Sequence, residues 1–88
     1  MYLLRLYITG QSTTSQRAVK DLKSLMDEFC PEDYSCEVID IFQSPQLAVY
    51  DQIMVTPTVI KLLPPPVIRL TGKFSDKEKI KKELGLLA

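Results

Sequence analysis

The sequence predicts an α/β protein in which a mixed four-stranded sheet and three helices follow one another as β-α-β-α-β-β-α. Three observations support this order. Short apolar runs alternate with segments whose apolar residues recur every three or four positions. Capping-box sequences precede two of those segments. Prolines stand before and after one apolar run, which limits a strand to the residues between them. A chain of 88 residues with these elements is expected to form a single domain, residues 1–88.

The first half of the chain predicts a parallel β-α-β unit. Residues 2–9 are apolar at nearly every position, which suits a strand that is buried on both faces. The capping box from Thr13 to Gln16 predicts the start of a helix, and Pro31 predicts its end. Residues 35–42 predict a second strand. Because a helix connects the two strands, they are expected to be parallel, with a right-handed crossover.

The second half predicts an antiparallel pair of strands. Pro45 suits the first position of a short helix at about residues 46–52. The third strand, residues 58–62, is bounded by prolines, which cannot donate a hydrogen bond to a neighbouring strand. Only residues 63–66 connect it to a fourth strand, residues 67–70, and so short a connection requires the two strands to be antiparallel.

The last helix is predicted to begin with a second capping box. Ser75 is the expected N-cap, with Glu78 three residues later, and Glu78 can also form an ion pair with Lys82. The apolar face of this helix is predicted to contain Ile80, Leu84 and Leu87. A β-α-β half followed by a β-β-α half is the thioredoxin-like arrangement, and Pro57 occupies the position of the cis-proline in that fold.

The composition argues against nucleic-acid binding and against a membrane span. Lysine and arginine together number 11, as do aspartate and glutamate, so the chain lacks the net positive charge that a nucleic-acid surface needs. No apolar run approaches the roughly 18 residues of a membrane-spanning helix. The N-terminal residues do not have the pattern of a signal peptide, and a cytoplasmic location is therefore expected.

The residues that could support catalysis do not form a recognisable site. Cys30 and Cys36 lack redox or zinc spacing, and the chain has no histidine to complete a metal site. A thioredoxin-type enzyme needs a thiolate at the start of its first helix, where the helix dipole stabilises the anion, and here a capping box occupies that place. Asp40 and Asp51 are single carboxylates, which are more often structural than catalytic. We therefore expect neither enzymatic activity nor a cofactor.

Seven short segments of the chain match the pattern of one protein family. These segments are Leu6-Tyr7-Ile8-Thr9-Gly10, Arg17-Ala18, Glu37-Val38-Ile39-Asp40, Pro45-Gln46-Leu47-Ala48, Thr56-Pro57-Thr58, Lys61-Leu62-Leu63-Pro64-Pro65-Pro66 and Gly72. In this spacing they resemble the KaiB circadian-clock family over about residues 3–87. The triple proline is the most specific part, because thioredoxin-like sequences in general share only the proline at position 57.

The resemblance implies a non-enzymatic regulatory protein that binds the ATPase ring of a KaiC-like protein. In the cyanobacterial clock, the bound form of the family captures the activator KaiA and competes with the sensor kinase SasA for the same ring. The resemblance assigns partner contact or a role in folding balance to Tyr7, Arg17, Gln46, Leu47, Thr58, Lys61 and Arg69.

The resemblance also implies that the C-terminal half can switch between two folds. Family members exchange a thioredoxin-like monomer that binds the ring with a tetramer whose C-terminal half packs as β-α-α-β. The residues expected to form the conformational joint are Pro57, Pro64, Pro65, Pro66 and Glu83. Glu83 stands where the family commonly has glycine, and glycine costs a helix roughly 0.5–1 kcal/mol. We therefore expect the thioredoxin-like form to be the resting state.

Other interpretations stay open on the sequence alone. One is a thioredoxin-like sensor domain of the SasA type, and another is a KaiB-like stress-response protein outside a true clock. A third is a redox enzyme, which a disulfide-reduction assay would reveal. The oligomeric state is open between a monomer, a dimer and a tetramer.

Overall fold

The computed structural model describes residues 1–86, and the elements follow the predicted order. They are β1 Tyr2–Ile8, α1 Thr13–Phe29, β2 Tyr34–Asp40, α2 Pro45–Tyr50, β3 Thr58–Leu63, β4 Ile68–Thr71 and α3 Lys77–Glu83. The strands form one sheet in the order β2-β1-β3-β4. β1 pairs parallel with β2 and antiparallel with β3, and β4 pairs antiparallel with β3. The predicted α/β class with a mixed four-stranded sheet is confirmed.

β1 lies inside the sheet because its side chains are apolar on both faces. Leu4, Leu6 and Ile8 belong to the larger core, whereas Tyr7 belongs to a smaller cluster, as the alternation of side chains along a strand requires. From the helices and from the loop before α3, the larger core receives Leu22, Leu25, Met26, Phe74, Ile80 and Leu84. The helices α1 and α3 therefore cover one face of the sheet.

The opposite face of the sheet is covered only thinly. Its buried apolar residues are Tyr7, Ile39 and Ile60. α2 packs Ala48 against them, but none of the six residues of α2 is fully buried. Most of the surface of α2 is consequently left to solvent.

The N-caps of α1 and α3 each lie one residue away from their predicted positions. Ser12, not Thr13, caps α1, and its hydroxyl oxygen accepts a hydrogen bond from the backbone N–H of Ser15 at 3.1 Å. Asp76, not Ser75, caps α3. In both places two adjacent side chains carry a suitable oxygen, so residue type alone does not select between them. The residue with the extended backbone becomes the cap.

The predicted apolar face of α3 is confirmed where the structure describes it. Ile80 and Leu84 are buried in the larger core, and Leu87 lies outside the described residues. Leu84 is the C-cap, and Gly85 follows it with a φ of +70°, a backbone conformation that favours glycine at the end of a helix.

Ion pairs connect α3 within itself and to α1. Glu78 pairs with Lys81, whose Nζ lies 3.3 Å from Oε1, and not with Lys82 as predicted. Residues three and four positions apart are both neighbours on a helix, which explains the difference. Lys77 Nζ lies 2.9 Å from Glu28 Oε1 and joins the start of α3 to α1.

Three prolines follow cis peptide bonds. They are Pro57, Pro64 and Pro66. The cis bond before Pro57 was the expectation from the thioredoxin-like arrangement, and it is confirmed. Pro64, Pro65 and Pro66 form an exposed connection between β3 and β4.

Candidate partner-binding site

Asp40 organises the turn in which the chain leaves the sheet after β2. Its carboxylate oxygen Oδ1 accepts hydrogen bonds from the backbone N–H groups of Gly10, at 3.2 Å, and Phe42, at 2.9 Å. Its backbone carbonyl accepts hydrogen bonds from Gln43 and Ser44. These bonds end β2 at Asp40, so the prediction that this strand reaches residue 42 is wrong. The Phe42 side chain is left 71% exposed beside Gly10.

Three side chains, Arg5, Tyr7 and Asp51, hold α2 against the sheet, and we call them the anchor. Arg5 Nη1 lies 3.2 Å from Asp51 Oδ2, and the hydroxyl of the buried Tyr7 donates to the same carboxylate. The Tyr7 hydroxyl also lies 3.1 Å from the carbonyl oxygen of Leu47. Since Arg5 Nε is 3.1 Å from Glu37 Oε1, the anchor joins β1, β2 and the end of α2.

The surroundings of Tyr7 keep its hydroxyl protonated. Burial is the main cause, and the hydrogen bond and negative charge of Asp51 add to it, so that the pKa of Tyr7 rises from 10.0 to about 12. A neutral hydroxyl can donate to Asp51, whereas a phenolate would repel the carboxylate. The anchor is therefore complete at neutral pH.

The surface that the anchor supports is rich in large apolar side chains. Within residues 1–86, ten such side chains are exposed, and six of them lie between residues 42 and 55. We call these six the apolar face, and they are Phe42, Leu47, Val49, Tyr50, Met54 and Val55. Single exposed apolar residues are ordinary, but a concentration of large ones marks an interaction site.

A small pocket opens beside the apolar face. It has a volume of about 120 Å³ and is lined by Ile41, Ile53, Met54, Val55 and Thr56. Thr56 is the polar member of this lining, and its hydroxyl is hydrogen-bonded to the hydroxyl of Thr9. The side chains around this pocket are therefore apolar except for one hydroxyl, which already has a partner.

The centre of this surface has no freely exposed charge. Residues 41–68 include only two charged residues, Asp51 and Lys61. The Asp51 side chain is 12% exposed and engaged in the anchor. Lys61 is 2% exposed, and its Nζ donates to the carbonyl oxygen of Pro64 at 2.7 Å.

Charged side chains border this surface instead. Arg5 and Glu37 pair with each other across neighbouring strands. Arg69 on β4 lies opposite Ile60, which places it on the α2 side of the sheet. Its Nη1 lies 3.4 Å from the carbonyl oxygen of Gln52. An apolar centre with a charged border is the usual arrangement of a protein interface.

The residues expected to contact partners divide into exposed and buried groups. Gln46 and Leu47 are exposed on α2, and Arg69 is exposed at the border of the apolar face. The buried ones are Tyr7, Thr58 and Lys61. In this fold the buried group can support a contact surface but cannot line it. Thr58, for example, donates its hydroxyl to the carbonyl oxygen of Val55 and so holds the chain that enters β3.

Arg17 lies apart from the apolar face. It lines a second depression of about 190 Å³ between the N-terminal half of α1 and residues 72–75, next to Pro57. The structure therefore does not bring Arg17 together with Gln46, Leu47 and Arg69.

The sequence analysis did not predict most of the apolar face. It also did not predict that Arg5 and Asp51 join Tyr7 in the anchor. Exposure of an apolar residue cannot be read from its identity. One signal was nevertheless present, since residues 41–57 carry a single charge, at Asp51, in a chain with 25% charged residues. A low content of charged residues in a segment that is largely loop is a sign of a contact surface.

The thiols lie in surroundings that keep them protonated. Cys30 is the C-cap of α1, and Cys36 is in β2. Burial raises the pKa of Cys36 to about 11 and is also the main cause of the raised pKa of Cys30. Thiolate chemistry at neutral pH is disfavoured at both positions.

None of the helices within residues 1–86 has the length and apolarity that a membrane crossing requires.

Comparison with solved structures identifies the fold. The N-terminal domain of SasA from Synechococcus elongatus superimposes with a TM-score of 0.76 and 26% identity, over 98% of this chain and 85% of that domain. Chloroplastic thioredoxin z gives a TM-score of 0.74 with 16% identity, over 97% of this chain and 79% of that chain. The second likeness shows the fold alone, and together they confirm the thioredoxin-like arrangement.

Sequence comparison identifies the family. The KaiB domain model matches residues 5–86. The circadian clock oscillator protein KaiB of Microcystis aeruginosa is 45% identical over 86 residues, which are 98% of this chain and 83% of that protein. The KaiB of Nostoc punctiforme is 44% identical over the same shares. Because the domain model and these relatives extend over nearly the whole sequence, the chain belongs to the KaiB family of circadian clock oscillator proteins.

Proposed function

We propose that this protein is a non-enzymatic regulator that binds the ATPase ring of a KaiC-like protein through the apolar face. The observation that carries the proposal is the concentration of exposed Phe42, Val49, Tyr50 and Met54 on and beside α2. Membership in a family of clock oscillator proteins supports a regulatory role over a catalytic one. Gln46 and Leu47, which the resemblance assigns to the ring-binding side, lie within the same helix.

The apolar face has the residue types that dominate binding energy in protein interfaces. Burying apolar surface contributes about 25 cal/mol per Å². Aromatic residues and methionine are enriched at the centres of interfaces. Tyr50, at 79% exposure, and Met54, at 90%, can bury most of their area when a partner covers them. These two side chains are therefore expected to contribute most of the binding energy of the complex.

The anchor and Asp40 contribute by presenting the apolar face before the partner arrives. Arg5 and Tyr7 fix the end of α2 through Asp51, and Asp40 fixes the turn that precedes α2. A surface that is already ordered loses less conformational entropy on binding, which increases affinity. Disruption of the anchor should therefore weaken binding without removing a direct contact.

The thioredoxin-like form is proposed to be the state that binds, with the alternative fold of the C-terminal half as a competing state. The ion pair from Lys77 to Glu28 and the hydrogen bond from Lys77 to Ser24, at 3.0 Å, support α3 in this form. Glu83 is the last residue of α3. The prolines at positions 57 and 64–66 enclose β3, around which the two folds would be exchanged.

The experiment is a binding assay with the cognate KaiC-like ATPase. Mixtures with the assembled ring and ATP, incubated for a day at micromolar concentration, should elute as one complex in size-exclusion chromatography. Tyr50→Ala should reduce the affinity for the ring at least tenfold. The matched change Tyr2→Ala, in β1 and away from α2, should lower the stability of the fold more than the affinity. Separate elution of the wild-type protein and the ring would contradict the proposal.

The likeness to the SasA domain supports a second candidate. In that case the chain would act as a sensor or interaction domain for the same kind of ring, and a SasA-like kinase would compete with it. Competition is tested by adding the SasA domain to the preformed complex. A stable ternary complex would exclude a shared surface.

A further inference from the structure

The charge distribution around α2 restricts what the apolar face can bind. The chain has 22 charged residues, 11 of each sign, yet only Asp51 and Lys61 fall within residues 41–68. Asp51 is held by the anchor, and Lys61 is buried. A charged group pressed against the centre of this surface would lose its hydration and find no counter-charge, which is costly. The centre therefore discriminates against a charged partner surface.

The border does not change this conclusion. Arg5 and Glu37 already pair with each other, and Arg69 is engaged with the carbonyl oxygen of Gln52. Ion pairs at the edge of an interface affect the rate of association and its salt dependence more than the affinity. Specificity at the centre must come from shape and from apolar contact.

The pocket supplies that shape. The side chains that surround its volume of about 120 Å³ are apolar except for one bonded hydroxyl. For comparison, an apolar cavity of about 150 Å³ holds one benzene molecule. The pocket beside Val55 is thus large enough for the end of a branched aliphatic side chain.

We infer that the surface of the ATPase partner that meets the apolar face is uncharged, and that it inserts one aliphatic side chain into the pocket lined by Ile41, Ile53 and Val55. This inference rests on the proposed function, because it describes the chemistry of the partner at the same site. The affinity then comes from apolar burial, and the Kd is nearly independent of ionic strength.

The first test compares substitutions of opposite charge at one position. Val49 is 77% exposed on α2, so Val49→Lys and Val49→Glu should leave the fold intact. Both should raise the Kd for the ring at least fivefold, because each places a charge against an apolar surface. Val67→Lys and Val67→Glu are matched controls, since Val67 is 59% exposed in the connection before β4, outside the apolar face, and they should leave the Kd within twofold.

The second test fills the pocket. Val55→Phe places a ring at the mouth of the pocket and should raise the Kd at least tenfold, whereas the control Val67→Phe should not. Circular dichroism and thermal unfolding of each variant show whether the fold is retained. The Kd of the wild-type complex should change less than threefold between 50 and 500 mM NaCl.

The outcomes separate this inference from the proposed function. If the wild-type protein forms no complex with the ring, both the inference and the proposed function are overturned. A complex that Val49→Lys strengthens and Val49→Glu weakens, or the reverse, overturns the inference alone, as does a Kd that rises tenfold with salt. A homodimer in sedimentation velocity that Val49→Lys dissociates would assign the apolar face to a second copy of this chain and would also overturn it.

Discussion

The guanidinium of Arg5 lies 3.2 Å from the carboxylate of Asp51, and this ion pair joins the first strand to the end of α2. The two residues are far apart in the sequence, and α2, which Asp51 follows directly, has no fully buried residue of its own. The position of the apolar face therefore depends on a polar contact more than on packing. That dependence makes the anchor a sensitive place for substitutions.

Asp51→Asn should weaken both stability and partner binding. The amide oxygen can still accept from Tyr7, but the negative charge that pairs with Arg5 is lost. A hydrogen bond to a charged group contributes about 1.5–3 kcal/mol, so the free energy of unfolding should fall by that order. Urea denaturation measures the loss. Asp33→Asn is the control, because the Asp33 side chain is 65% exposed, and a change as large in the control would contradict the assignment.

The anchor should also make stability depend on pH in the alkaline range. The raised pKa of Tyr7, about 12, means that the folded state favours the protonated hydroxyl. The corresponding stabilisation is fully present below the unfolded pKa of about 10 and is lost as the pH rises through 12. Wild-type protein should thus lose stability over pH 10–12, by about 1–3 kcal/mol from this residue.

Tyr7→Phe isolates that contribution. The variant should be less stable than wild type at pH 8 and should lose less stability between pH 10 and 12. Tyr34, whose pKa is also raised to about 12 by its hydrogen bond to Asp27, is present in both proteins and cancels in the comparison. Parallel pH profiles for wild type and variant would show that Tyr7 is not responsible.

Lys61 provides a test between direct contact and internal support. It is 2% exposed and donates to the carbonyl oxygen of Pro64, so we expect it to act within the fold. Lys61→Met should change stability by no more than about 1.5 kcal/mol, because the side chain is similar in size, and affinity for the ring by less than threefold. Lys61→Glu should lower stability by about 3–5 kcal/mol, since it buries an unpaired charge. A tenfold loss of affinity in stable Lys61→Met would instead indicate direct contact.

Much of the fold could be predicted because local signals and tertiary packing agree. The apolar run at 2–9 becomes a central strand, and the prolines at 57 and 64 confine β3. The errors are of two physical kinds. Where two adjacent side chains can both cap a helix, as at Ser75 and Asp76, residue type does not decide between them, and the backbone conformation does. The apolar character of Ile41 and Phe42 predicts a strand that reaches residue 42, whereas the hydrogen bonds of Asp40 end β2 two residues earlier.

The candidate site was less predictable than the fold. Gln46 and Leu47 followed from family resemblance, but the exposure of Val49, Tyr50 and Met54 depends on how little of the sheet α2 covers. The network of Arg5 and Asp51 depends on a contact between distant parts of the chain. Periodicity and residue type do not carry that information.

Glu83 is expected to favour the thioredoxin-like form. It is exposed in the last turn of α3, where the side chain makes no demand on packing, so its effect should be that of intrinsic helix propensity. Replacing it with glycine should destabilise α3 by roughly 0.5–1 kcal/mol. Since about 1.4 kcal/mol corresponds to tenfold, the ratio of helical to alternative states should fall about two- to fivefold.

Backbone chemical shifts of residues 77–83 measure this prediction directly. In the free wild-type protein these shifts should be helical, because Asp76 caps α3 and Lys77 joins it to Glu28. Glu83→Gly should lower the helical population and slow binding to the ring, because the binding state must then be recovered first. Glu83→Gln is the control, since its helix propensity is close to that of glutamate. Extended shifts at residues 81–83 in the free wild-type protein would show that the alternative fold is the resting state, and Glu83→Gly would then deepen it.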